Sequence, residues 1–225
     1  PSQGTADWPE IDMATTSAEV RAVERLPGTG VLAENTYNYG ALGTAAHAFF
    51  AADLDDLRPD ARTACAEGLL AAAGLTGLVR GDALVKASDA LRTWVEGRWP
   101  GARWHRELPV EALVASDHGD RRVVGIVDLL LETDEGVVIV DHKTFPGGTE
   151  ASWRKKALEV AGQLFVYAHV LSQAGRKVLG LWVHLPMGGG MVELEMPSRS
   201  SPTRAHRKAC REQNQFPLPS STPSP

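Results

Sequence analysis

Two aliphatic segments, 121–132 (RRVVGIVDLLLE) and 136–144 (GVVIVDHKT), lie only three residues apart, and they constrain this chain more than anything else in it. Both have the period-two, β-branched pattern of strands, and Thr133-Asp134-Glu135-Gly136 is a turn signal, so they predict a β-hairpin. A hairpin centred between Asp134 and Glu135 sets Asp128 opposite Asp141. A two-residue slip keeps the same face and sets Asp128 opposite Lys143 instead. Asp141 and Lys143 share a face of the second strand, and His142 points to the other. Two carboxylates and a lysine therefore converge on a hairpin built otherwise from Val, Ile and Leu. Close like charges against an apolar sheet lose hydration and repel. A hard divalent cation removes that conflict, and Mg²⁺ is held by one or two carboxylates plus waters and substrate phosphates. The plainer alternative is a cross-strand salt bridge between Asp128 and Lys143 with Asp141 at a strand end.

The rest of the chain frames this hairpin. Before residue 100 the apolar period is helical, with helices expected over the alanine-rich stretch from Tyr39, from Pro59 to Ala73, and from Asp82 to Trp99. From residue 103 the period becomes two. Strands are expected over 103–114, 121–132, 136–144, 177–185 and 190–196, with a long helix over 150–173. The order is α/β in the mixed, α+β sense. Residues 1–38 read as an N-terminal linker with one short helix near 16–25, and residues 197–225, rich in Pro and Ser, as a disordered basic tail. The 225 residues suffice to bury a core without disulfides. Two cysteines exclude a four-cysteine zinc site or iron–sulfur cluster within the chain and fit a reducing, intracellular setting. No apolar run approaches the roughly 20 residues of a membrane helix. The net charge of −5 argues against coating nucleic acid by bulk charge. The charge is graded, however, with 3 basic against 10 acidic residues over 1–60 and 11 against 6 over 141–225.

Four short motifs then give a specific resemblance. GTAAHAFF at 43–50 resembles the Gly-x-x-x-His helix start of RecB-type nucleases. GIVDLLLETDEGVVIVDHKT at 125–144 resembles their Gly-x-x-Asp strand followed by Asp-x-Lys-Thr, and GQLFVYAHVL at 162–171 their Gln-x-x-x-Tyr helix. Order, spacing and context agree over about residues 39–196. That family belongs to the PD-(D/E)xK superfamily and occurs as the C-terminal domain of RecB, AddA and UvrD-like helicases.

The resemblance implies a restriction-endonuclease-like core, a central mixed sheet flanked by helices. It implies Mg²⁺, with Mn²⁺ as a substitute, held by His47, Asp128 and Asp141. Lys143 would activate or position the attacking water, and Gln163 and Tyr167 would line the site and touch DNA. Glu107 is a further carboxylate on the first strand, read here as a solvated edge residue. Arg154, Lys155 and Lys156 open the long helix, either as a solvated face or as phosphate contacts. The expected activity is metal-dependent DNA hydrolysis at ends produced by a helicase in recombinational repair, in the cytoplasm with the nucleoid. No iron–sulfur cluster and no membrane are expected. The chain has no P-loop motif, so the helicase would lie upstream in a longer chain or in another subunit. The alternatives are a catalytically silent nuclease-like module that binds DNA or bridges proteins, and a hydrolase of small phosphoesters.

Overall fold

The expected hairpin forms the middle of a six-stranded sheet. The computed structural model describes residues 18–27, 38–54, 56–114 and 121–196. In chain order these give β1 (Val20–Arg25), α1 (Tyr39–Ala52), α2 (Pro59–Ala72), α3 (Gly81–Arg98), β2 (Arg103–Val114), β3 (Arg121–Glu132) and β4 (Val137–His142). Then come α4 (Glu150–Gln173), β5 (Val178–Leu185) and β6 (Gly190–Leu194). The strand order is β1-β6-β5-β4-β3-β2, antiparallel throughout except for the β4–β5 pair. A parallel pair needs a long crossover, and α4 supplies it. The mixed sheet with helices on both faces is the restriction-endonuclease-like architecture expected.

One expectation is corrected. The segment near 16–25 is not a helix: Val20–Arg25 is an edge strand paired with β6. Its register shifts between Val20 and Ala22, which breaks the alternation that would have marked it as a strand. The sheet thus draws on residues ahead of the expected start at 39. The basic tail expected over 197–225 and the first 17 residues lie outside the described residues.

α4 covers one face of the sheet. Trp153, Leu164, Phe165 and Tyr167 pack there with Val127, Leu130, Ile139 and Val183. Each large apolar side chain so buried stabilises the fold by roughly 1.5–3 kcal/mol of transfer free energy. The helix starts cleanly because Thr149 and Ser152 form a reciprocal capping box. On the opposite face Leu91 and Val95 of α3 pack with Leu129, Val140 and Trp182, and α1, α2 and α3 share a second cluster around Phe49 and Leu70. Every residue of β4 is buried. Among the described residues no helix is long and apolar enough to cross a membrane.

The ladders differ in length. β3 pairs with β4 from Glu132–Val137 to Leu129–Val140, the register predicted from the turn. β2 and β3 stay paired as far as Val114–Arg121. Beyond Leu129 the hairpin therefore forks: β4 parts from β3 and runs on to His142 beside β5, while β3 and β2 continue as a two-stranded arm. The fork is where the polar residues gather.

Candidate metal centre

Two sequence signatures meet at Gly43. A Cβ on that residue would stand 2.8 Å from Thr144 Oγ1, so only glycine lets α1 approach the end of the Asp-x-Lys-Thr segment this closely. His47, one turn later on the same helix face, is thereby carried over the fork. Its Nδ1 lies 3.6 Å from Asp128 Oδ2, an ion-pair separation. Burial pulls the His47 imidazole down. The Asp128 carboxylate beside it outweighs that effect and leaves the pKa above its ordinary value.

Asp128 sits at the branch point. The β4 backbone replaces the lost ladder bond there, with the His142 N–H donating to Asp128 Oδ2 at 2.7 Å. Burial alone would raise this carboxyl, but His47 and His142 hold it below its ordinary value.

β2 contributes Glu107. Its φ of +49° makes it the one non-glycine residue with positive φ among those described. Such a conformation costs on the order of 1–3 kcal/mol and persists where surrounding structure enforces it. Glu107 is exposed, and one ligand atom each from His47, Glu107 and Asp128 lie within 4.8 Å of one another. Burial and the Asp128 charge push the Glu107 carboxyl up. Two carboxylates competing for their charged forms beside an imidazole nitrogen make a donor set that suits a hard or borderline divalent cation.

Asp141 lies next to this trio rather than in it. It is buried to 1% exposure. Lys143 Nζ donates to its Oδ1 at 2.9 Å, and Oδ2 has the same ammonium 2.8 Å away but no directed donor. Burial, with the Asp128 charge adding to it, pushes this carboxyl up to about 6 against the pull of Lys143. A buried carboxylate oxygen whose one close partner is a shared ammonium suits a cation as a further neighbour. The alternative Asp128–Lys143 bridge is not formed: Lys143 pairs within its own strand.

The remaining expected residues divide. Gln163 Nε2 donates to the Tyr167 hydroxyl at 3.0 Å, as their i, i+4 spacing on α4 permits. Burial raises the Tyr167 phenol, Gln163 opposes this, and the Asp141 and Asp128 charges add to the rise, so the pair underlies the centre. Tyr167 is 2% exposed. The pair therefore sits beneath the carboxylates rather than on an open surface. Arg154 and Lys155 are exposed on the first turns of α4, and Lys156 pairs with Glu159 at 3.2 Å. The placement of these three on α4 follows the expectation, and no contact joins them to the carboxylates.

The expectation of a solvated Glu107 holds as to exposure, but the β2–β3 register also sets it across from Asp128. Sequence reasoning passed over His142, which is buried, pushed down to about 4 by desolvation, and bonded Nδ1 to Nδ1 with His184 at 3.0 Å.

A mixed sheet forked at its central hairpin thus gathers a histidine, three carboxylates and a lysine at the fork, a set of groups suited to a divalent metal. The sequence profile described as the PD-(D/E)XK nuclease superfamily matches residues 17–218. The chain belongs to that superfamily, whose members use divalent metals and usually hydrolyse phosphodiester bonds. No curated protein matches it significantly. A solved structure titled "Crystal structure of SSO0001" is similar at 12% identity over 82% of this chain and 81% of that one, with a TM-score of 0.34. That likeness is too loose to bear on the site.

Proposed function

We propose that this chain is a divalent-metal-dependent deoxyribonuclease of the RecB type. The observation that carries the reading is the convergence of His47, Glu107 and Asp128 within 4.8 Å, beside the buried Asp141–Lys143 pair. His47, Glu107 and Asp128 would hold the cation, Mg²⁺ or Mn²⁺, with Asp141 adjoining them. A cation so bound supplies Lewis-acid polarisation of the scissile phosphate and a water of lowered pKa. The protein's own part is positional. Asp141 fixes the Lys143 ammonium, whose exposed side orients the attacking water and offsets charge developing on the phosphate. Asp128 is clamped by the His142 N–H, and Gln163 and Tyr167 support the carboxylates from below. Arg154, Lys155 and Lys156 would contact the DNA backbone. The order of the Gly-x-x-x-His, Gly-x-x-Asp, Asp-x-Lys-Thr and Gln-x-x-x-Tyr motifs supports the finer reading. In it the enzyme degrades ends opened by a UvrD-like helicase, in the same chain or another subunit, during repair in the cytoplasm.

Cleavage and binding are measured separately on linear DNA. Wild type should cut with Mg²⁺ or Mn²⁺ and stop on chelation. Asp141→Ala and Lys143→Ala should each lower the rate on the order of a hundredfold or more while DNA is still bound. Wild type that binds DNA but cuts neither single nor double strands, even beside its helicase, would identify a silent binding module instead.

A further inference from the structure

Two buried histidines adjoin the metal centre without belonging to its donor set. His142 follows Asp141 on β4, and His184 is its partner on β5 in the parallel register. Their rings bond Nδ1 to Nδ1 at 3.0 Å. In such a bond one imidazole donates its N–H and the other accepts on its bare nitrogen. His184 Nε2, also buried, has no hydrogen-bond partner. A buried polar atom left in this way costs stability, and two apolar side chains of similar volume would fill the space without that cost. Fold stability alone therefore does not account for the pair.

Its position does. The β3–β4 ladder ends at Leu129–Val140, and past that point the strand partner of β4 is β5. His184 grips this end twice. Its carbonyl accepts from the Lys143 N–H at 2.9 Å, and its ring holds that of His142. The His142 N–H points to the opposite edge of the strand, where it donates to Asp128 Oδ2 at 2.7 Å. The His142 ring meanwhile meets α1. Its centroid lies 4.8 Å from that of Phe50 and 6.0 Å from that of His47, and the His184 ring lies 5.5 Å from Phe50. His47 and Phe50 share a face of α1 at i, i+3. His142 thus touches both sides of the centre, Asp128 through its main chain and the His47 helix through its ring. The bond to His184 stops that ring from turning about Cβ–Cγ.

We infer that His184 is a positioning residue for the metal centre: through His142 and Lys143 it holds the end of β4 so that His47, Asp128 and Asp141 keep the separations a divalent cation needs. The inference rests on the metal-binding reading of the site. His184 itself touches neither cation nor substrate.

The test is Mn²⁺ affinity of the full chain without DNA, together with amide hydrogen exchange in chelator. His184→Leu fills the space but cannot bond. It should weaken Mn²⁺ binding on the order of tenfold, as loss of a group that orients a metal ligand does. It should also speed exchange of the His142 amide and leave that of Val138, deeper in the strand, unchanged. His184→Asn puts an amide group where Nδ1 stood. It should restore most of the affinity although, being smaller, it melts below wild type. The double variant His142→Leu with His184→Leu should do the reverse, melting at or above wild type while binding Mn²⁺ as weakly as His184→Leu. Affinities that follow the melting temperatures across these variants would show a merely structural pair and overturn the inference. So would a folded His184→Leu that binds Mn²⁺ like wild type with an unchanged His142 amide. Either result, with a wild type that binds Mn²⁺, removes the positioning residue and leaves the metal centre. A wild type that binds no Mn²⁺ removes the centre and the inference together.

Discussion

Asp53 and Asp141 are equally buried, at 1% exposure, yet they are opposite in character. Asp53 closes α1 and is saturated. Arg62 donates to both of its oxygens at 2.7 and 2.8 Å, Ser88 donates at 2.6 Å, and Arg92 stands at 3.3 Å. Burial would raise its pKa, but these partners hold it below the ordinary carboxylate value. Asp141 has one lysine and is pushed up to about 6. The first carboxylate ties the end of α1 to α2 and α3 and is finished as it stands. The second is left short of partners at the sheet's fork, and that deficit marks it for a ligand.

The largest separation between the two should appear on removal. Asp53→Ala leaves Arg62 and Arg92 facing a buried gap, and breaking a buried pair in this way costs about 3–5 kcal/mol. The melting temperature should fall on the order of 10 °C. Asp141→Asn should leave it nearly unchanged or raise it, measured without metal. Equal losses at both sites would erase the distinction.

Acidity should separate them next. The folded pKa of Asp141, about 6, exceeds its ordinary 3.8, so the folded state holds the proton more tightly. Its contribution to stability is full below about pH 4 and is lost as pH rises through about 6, by at most about 1.4 kcal/mol per pH unit. Asp53 runs the other way, contributing above the ordinary carboxylate pKa and losing that as pH falls through its depressed value. Denaturant titrations of chelated protein between pH 3 and 7 should therefore show a decline on the high side that Asp141→Asn flattens and Asp53→Asn does not.

A divalent cation sharpens the contrast further. Mn²⁺ at a hundred times its Kd should stabilise wild type by about 2.7 kcal/mol. The gain should vanish in His47→Ala or Asp128→Asn and survive in Arg62→Lys, which touches only the Asp53 side.

The smallest effect is expected at Gly43. Alanine there gains up to about 1 kcal/mol of helix propensity but meets Thr144 Oγ1 at 2.8 Å. Stability should change little while Mn²⁺ affinity falls, and Thr144→Ala should restore the affinity in the double variant.

How far the sequence reveals all this depends on whether the determinants are local. The β3–β4 register is set by a four-residue turn and an alternating pattern, so the approach of Asp128 to Asp141 can be read from residues 121–144 alone. Gly43 and His47 are legible as one helix face, though not which partner requires the glycine. Glu107 is hidden because its place beside Asp128 depends on the β2–β3 register, which no tight turn signal fixes. β1 is hidden because its partner, β6, is at the other end of the chain and its own alternation is interrupted. The Asp53 cluster is equally obscure, since Asp53, Arg62, Ser88, Arg92 and Arg106 come from the end of α1, α2, α3 and β2 and each reads alone as an ordinary surface residue.

The fork in the hairpin has a consequence for how the protein is made. The side chains gathered there come from α1, β2, β3 and β4, and β4 is paired with β5, which the ribosome delivers only after α4. A nascent chain therefore carries every acidic residue of the centre before it has the sheet that aligns them. The centre takes its final geometry only when the last strands have joined the sheet.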